Sequence, residues 1–113
     1  MTKINVTIIQ KDYIFEKENI IREGLMDEHD CYNSIIGNLY DQYIHAFESK
    51  TKARKKLNHD LLNFYVRINK EVLPMSPSNL KTAFNITTED LYIVKLNSPS
   101  VTKLGEIIYT IKH

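Results

Sequence analysis

Lys50, Lys52, Arg54, Lys55 and Lys56 place five of the chain's 15 lysine and arginine residues within seven consecutive positions, with no carboxylate among them. Cations at that density can contact phosphate oxygens along a nucleic-acid backbone. What they mean depends on where the flanking helices break. If a preceding helix continues to about Lys56, the cations lie at its negative end and stabilise it, and Asn58 or Asp60 caps the next helix. If instead Ser49 or Thr51 caps a following helix, four cations crowd its positive end. That arrangement is unfavourable by itself and would be relieved by an anionic partner, phosphate above all. The run reads either as a solvated, helix-ending charge cluster or as a phosphate-contacting patch.

Other residue types with chemistry are thinly spread. His29, Asp30 and Cys31 are adjacent, and His59-Asp60 forms a second polar pair. A Cys–His nucleophile needs both side chains within hydrogen-bond reach, with a third group orienting the base. Two residues apart on a helix, His29 and Cys31 point in different directions. Cys31 reads instead as a small hydrophobe at a helix edge. A metal site from His29, Asp30, His45 and His59 would lack any His-x3-His or Glu-x-x-His spacing. Gly24, Gly37 and Gly105 are isolated and form no phosphate-cradling loop. The expectation is a non-enzymatic protein without metal or cofactor, with His45 an ordinary surface histidine. Gly37 would mark a close helix approach or a tolerated local weakness.

The elements that position these residues follow from periodicity. Ile4, Val6 and Ile8 alternate with polar residues and predict a strand. A turn at Gln10-Lys11-Asp12 and a second strand at Tyr13-Ile14-Phe15 complete a hairpin. The stretch from Glu18 to Met26 stays ambiguous, with a short helix weakened by Gly24 as one reading. Tyr32, Ile35, Ile36, Leu39, Tyr40, Tyr43, Ile44 and Phe47 recur at steps of three and four, which predicts a helix from about Asp30 to Glu48. A second stripe through Leu57, Leu61, Phe64, Tyr65, Ile68 and Val72 predicts another helix ending before Pro74. This spacing assigns the aromatic residues of both stripes to the core. A short helix follows at Asn79–Phe84. Leu91-Tyr92-Ile93-Val94 is compatible with strand or helix, and Glu106–Lys112 predicts a strand entered through Gly105. The expected fold is α+β in a single domain, 1–113, with two long antiparallel helices packed on a small antiparallel sheet of N- and C-terminal strands.

Within residues 79–112, Leu80, Ala83 and Phe84 fall where a helix-turn-helix buries its first helix, and Asn85 occupies the turn position that favours a left-handed backbone. Ile86 would plug the interhelical angle, Thr87 would cap the second helix, and Leu91 and Val94 would be its core contacts. Val101 to Tyr109 would form a hairpin wing with Lys103 near its tip. This third of the chain resembles winged helix-turn-helix DNA-binding proteins. The resemblance implies that Thr87, Thr88, Tyr92 and Lys95 face the groove while Lys103 and the Lys50–Lys56 segment hold phosphates. It departs from the pattern at Lys81, where a small buried residue is common. It departs again at Glu89 and Asp90, which would repel phosphates at the start of a recognition helix. A strand over Leu91–Leu96 would abolish that helix.

Composition sets the outer bounds. The 113 residues carry 15 cations against 14 carboxylates, a net charge of +1, which excludes a polycation that coats nucleic acid by bulk charge. It equally excludes a charge-driven disordered chain. With 42% hydrophobic residues and only three glycines and three prolines, the chain can build one core. A lone cysteine excludes an intramolecular disulfide and fits a reducing, cytoplasmic setting. No apolar run reaches membrane-spanning length. Two functional expectations result. One is a small DNA-binding accessory or regulatory protein whose partner is duplex DNA, with a homodimer suiting paired half-sites. The alternative is an inhibitor or adaptor that binds a host protein through a strand edge or the first helix, without nucleic-acid affinity. Size and Lys/Ile/Asn richness are similar to those of small accessory proteins of phages and plasmids.

Overall fold

The computed structural model describes residues 3–12, 17–68, 71–96 and 106–113. Alternation of Val6 and Ile8 with polar neighbours makes strand β1 (Ile4–Asp12), which pairs antiparallel with β2 (Lys17–Met26) from Ile4↔Met26 to Asp12↔Lys17. An N-terminal hairpin forms, but with Lys17–Met26 as its second strand, and β1 runs through the residues read as its turn. Tyr13–Phe15 lie outside the described residues. Glu18–Met26 is strand rather than helix, and its apolar spacing reflects no buried stripe, since Ile20 and Leu25 are 61% and 65% exposed. The register shifts between Ile8 and Ile9, leaving Ile21 unpaired as a bulge.

The first helix, α1 (Glu28–Phe47), forms where the apolar stripe predicts it. Asp27 closes a capping box: its Oδ1 accepts from the Asp30 backbone N–H at 2.8 Å, and its own N–H donates to Asp30 Oδ2 at 3.2 Å. That N–H, with the Lys3 ammonium 3.2 Å away, holds the Asp30 carboxyl below its usual range. Glu48 ends the helix in a left-handed conformation (φ 51°), and Ser49 caps α2 (Lys50–Asp60) at once, accepting from the Lys52 N–H at 3.4 Å. The helix break therefore falls before the basic run.

The second apolar stripe does not make a long helix. After α2 comes a single 3-10 turn at Leu61–Asn63, then β3 (Phe64–Ile68) and its hairpin partner β4 (Glu71–Pro74). Phe64, Val66 and Ile68 are buried while Tyr65 and Arg67 are half-buried, a period of two that overrides the helical spacing. Ser76 and Pro77 then start α3 (Pro77–Ile86), as the Asn79–Phe84 reading predicts. β5 (Leu91–Lys95) and β6 (Glu106–Lys112) complete the chain.

All pairings are antiparallel, in the order β2-β1-β6-β5-β3-β4. The α+β class stands, but the sheet has six strands and draws three of them from the middle of the chain. β5 sits inside it between β6 and β3, which is why Leu91-Tyr92-Ile93-Val94 is so continuously apolar. The second helix of the helix-turn-helix resemblance is consequently absent: residues 87–90 bend, and 91–95 are strand. The helices pack on one face of the sheet, burying Val6, Ile8, Ile35, Leu39, Phe64, Leu80, Leu91, Ile93, Tyr109 and Ile111 between the layers. The Tyr109 hydroxyl, its ionisation suppressed by burial, donates to Asn38 Oδ1 on α1 at 2.7 Å. Across the opposite face, Ile20, Ile9, Thr110, Tyr92, Arg67 and Val72 are successive register partners in one row over all six strands.

Candidate nucleic-acid interface

Ala53, Leu57 and Asp60, at steps of four and three, form the buried side of α2. That leaves Lys50, Lys52, Arg54, Lys55 and Lys56 on its exposed surface. With Ser49 as N-cap and no acidic residue in the first turn, Lys50 and Lys52 sit at the positive end of the helix dipole, and Arg54, Lys55 and Lys56 follow in the middle of the helix. Each cation there costs roughly 0.3–1 kcal/mol near the terminus. Of the two arrangements open to the basic run, the fold adopts the electrostatically unfavourable one.

Two of the five have partners. Lys56 Nζ lies 3.2 Å from Asp60 Oδ1 one turn on, and the Arg54 guanidinium sits 5.8 Å from the centre of the Tyr40 ring on α1. Among the described residues, no carboxylate stands within ion-pair distance of Lys50, Lys52 or Lys55. These three are the free charge of the site.

The other residues expected at the interface scatter. Lys95 ends β5 on the helix side, 4.0 Å from Asp60 Oδ2 and 6.0 Å from the centre of the Phe64 ring, so it adjoins the C-terminal end of α2. Tyr92 lies on the other face of the sheet, under the Arg67 guanidinium at 4.7 Å. Thr87 caps the end of α3, where its Oγ1 accepts from the Glu89 N–H at 3.0 Å, and Thr88 is exposed beside it. Lys103 and the expected wing tip lie outside the described residues. The five cations of α2 share one helix; Thr87, Thr88 and Tyr92 do not join them.

Two features were not legible as site elements. The first is the Asp60 carboxylate, buried and shared between Tyr43 (Oη to Oδ2, 2.5 Å), Lys56 and Lys95. Burial pushes its pKa up, but the Tyr43 and Lys56 hydrogen bonds and the two ammonium charges outweigh that and hold it below the usual range. Tyr43 is displaced upward by burial and by the same carboxylate. The Lys56/Asp60 spacing was the only signal of this network in the sequence. The second is a groove of about 440 Å³ between α1 and α2, lined by Asn33, Ile36, Gly37, Tyr40, Arg54, Leu57 and Asn58.

The nucleophile and metal candidates remain apart. Cys31 is fully buried, and burial, followed by the Asp30 charge, pushes its thiol up to about 12. His29 and His45 are exposed. Among the described residues, no three His, Cys, Asp or Glu side chains converge as a metal site, and no helix is long and apolar enough to cross a membrane. No protein-family model, curated protein or solved structure matches the chain.

Proposed function

We propose that the protein is a DNA-binding accessory or regulatory protein that contacts backbone phosphates through α2. The observation carrying this reading is the placement of Lys50 and Lys52 in the first turn of a capped helix, with Lys55 following at its middle, all three without acidic partners among the described residues. Like charge at that end opposes the helix dipole, and phosphate oxygens supply the missing counter-charge. The contact is electrostatic and sequence-independent; with residues 91–95 in a strand, no recognition helix enters the major groove in this reading. Fluorescence anisotropy with labelled duplex DNA at low salt tests it. Binding that disappears when Lys52 and Lys55 are both replaced by glutamate supports the reading, and absence of binding by the unaltered protein overturns it.

A second reading rests on β2. It is a ten-residue edge strand, paired on one side by β1, with Ile20 and Leu25 exposed. Such an edge accepts a strand from a partner protein through backbone hydrogen bonds. In that reading, proline at an outward-facing N–H of β2 abolishes capture of a stoichiometric host protein, while reversal of the α2 charges leaves capture intact.

A further inference from the structure

Gly37 stands in the middle of α1, where glycine is about 1 kcal/mol less favourable than alanine. It does not serve a close helix approach: a Cβ built there meets no atom within 4 Å. Its backbone is helical without a left-handed φ, so conformation does not require glycine either. What Gly37 does is leave open the wall of the α1–α2 groove. The groove has the makings of a planar-ligand site. The Arg54 guanidinium, over the half-buried Tyr40 ring, forms with it one flat cation–aromatic surface, and Ile36 and Leu57 supply apolar contact. Asn33 and Asn58, both exposed, add amide donors and acceptors.

The groove is also continuous with the basic surface. Lys50, Arg54 and Asn58 are spaced four apart and form one row along α2, so the wall of the groove leads directly to an unpaired ammonium group. A ligand seated in the groove and extending along that row would present a flat ring to the Tyr40–Arg54 pair and an anion to Lys50. A nucleotide has that pairing of chemistries, and an unpaired one can offer its base freely.

We infer that the α1–α2 groove takes a base of an unpaired DNA nucleotide, packed against Tyr40 and Arg54, while the adjoining phosphates lie along α2. This rests on the phosphate-contacting reading of α2 and adds to its phosphate contacts one that only DNA with an exposed base can make. The bases of a closed duplex are stacked and cannot enter.

The experiment compares three labelled probes of equal length at one salt concentration: an oligothymidine strand, the same backbone without bases, and a duplex. The inference predicts that the oligothymidine binds about tenfold more tightly than the abasic strand, the gain typical of one stacked base. Gly37→Leu fills the groove and erases that difference, with abasic binding unchanged. Because a Cβ at position 37 meets no atom within 4 Å and leucine favours the helix over glycine, the variant's melting temperature stays equal or rises. Equal affinity of the unaltered protein for oligothymidine and abasic strands overturns the groove and leaves phosphate binding by α2 standing. Failure to bind any probe overturns both. The comparison on the unaltered protein needs no variant, so a Gly37→Leu chain that does not fold leaves it decisive.

Discussion

Replacing Asp60 with asparagine keeps the shape of the side chain and removes its charge from a buried junction that ties α2, α1 and β5 together. The Tyr43 hydroxyl donates to this carboxylate at 2.5 Å. A hydrogen bond to a charged acceptor contributes about 1.5–3 kcal/mol against about 0.5–1.5 for a neutral one, so the Tyr43 bond weakens by about 1–1.5 kcal/mol. Lys56, at 3.2 Å and half-exposed, adds about 0.5 kcal/mol, and Lys95, at 4.0 Å, no more than that. The total is about 2 kcal/mol, or a fall in Tm of about 8 °C for a domain of this size. Urea unfolding at neutral pH reads the destabilisation directly. The pH dependence supplies a second check. Because the folded pKa of Asp60 lies below its ordinary value of 3.8, the stabilisation is fully present above that value. It is lost as pH falls through the lower, folded value, where the native carboxyl becomes as neutral as the amide. The gap between the two proteins should therefore be wide at neutral pH and should close on acidification. A destabilisation under about 0.5 kcal/mol, or a gap that stays constant into acid, would refute this view of the junction.

Asp27→Ala removes the side-chain half of the α1 capping box, leaving the Asp30 N–H without its acceptor, and should cost about 1 kcal/mol in urea unfolding; unchanged stability would show that the α1 terminus needs no side-chain cap. Cys31, buried and with its thiol pushed up to about 12, should resist a disulfide reagent at neutral pH and react only at the rate of unfolding. Rapid labelling of the folded protein would contradict the packing of α1 on the sheet. Tyr109→Phe removes the shorter of the two hydrogen bonds to Asn38 Oδ1, leaving the one from the Gln42 amide at 3.2 Å, and should cost about 1 kcal/mol, read by the same unfolding assay; a neutral result would mean that the Gln42 amide alone satisfies Asn38.

Local physics was legible where one period dominated. α1 follows from a long stripe at steps of three and four, and β1 from strict alternation. The stripe from Leu57 to Val72 misleads because Phe64, Tyr65 and Ile68 fit a helix as well as a strand. The decisive residue is Val66, which with Phe64 and Ile68 makes a period of two and is fully buried. β5 was undecidable from its residues because a strand buried on both faces carries no alternation. β2 fails for the opposite reason: an exposed edge strand carries no apolar period at all. At the candidate site, clustering of the cations was plain from composition, whereas their helix end turned on whether Ser49 or a later residue caps α2. The Asp60 junction joins residues from three elements far apart in the chain, and no local pattern announces such a meeting.

The placement of α2 as a phosphate-binding helix is tested most directly by the salt dependence of DNA binding. The logarithm of the association constant should fall linearly with the logarithm of salt concentration. Replacing Lys50, Lys52 and Lys55 with alanine should make the slope shallower by about 0.9 for each phosphate that is no longer neutralised. Identical slopes for the unaltered and triply substituted proteins would place the DNA-binding surface elsewhere and contradict the assignment of α2.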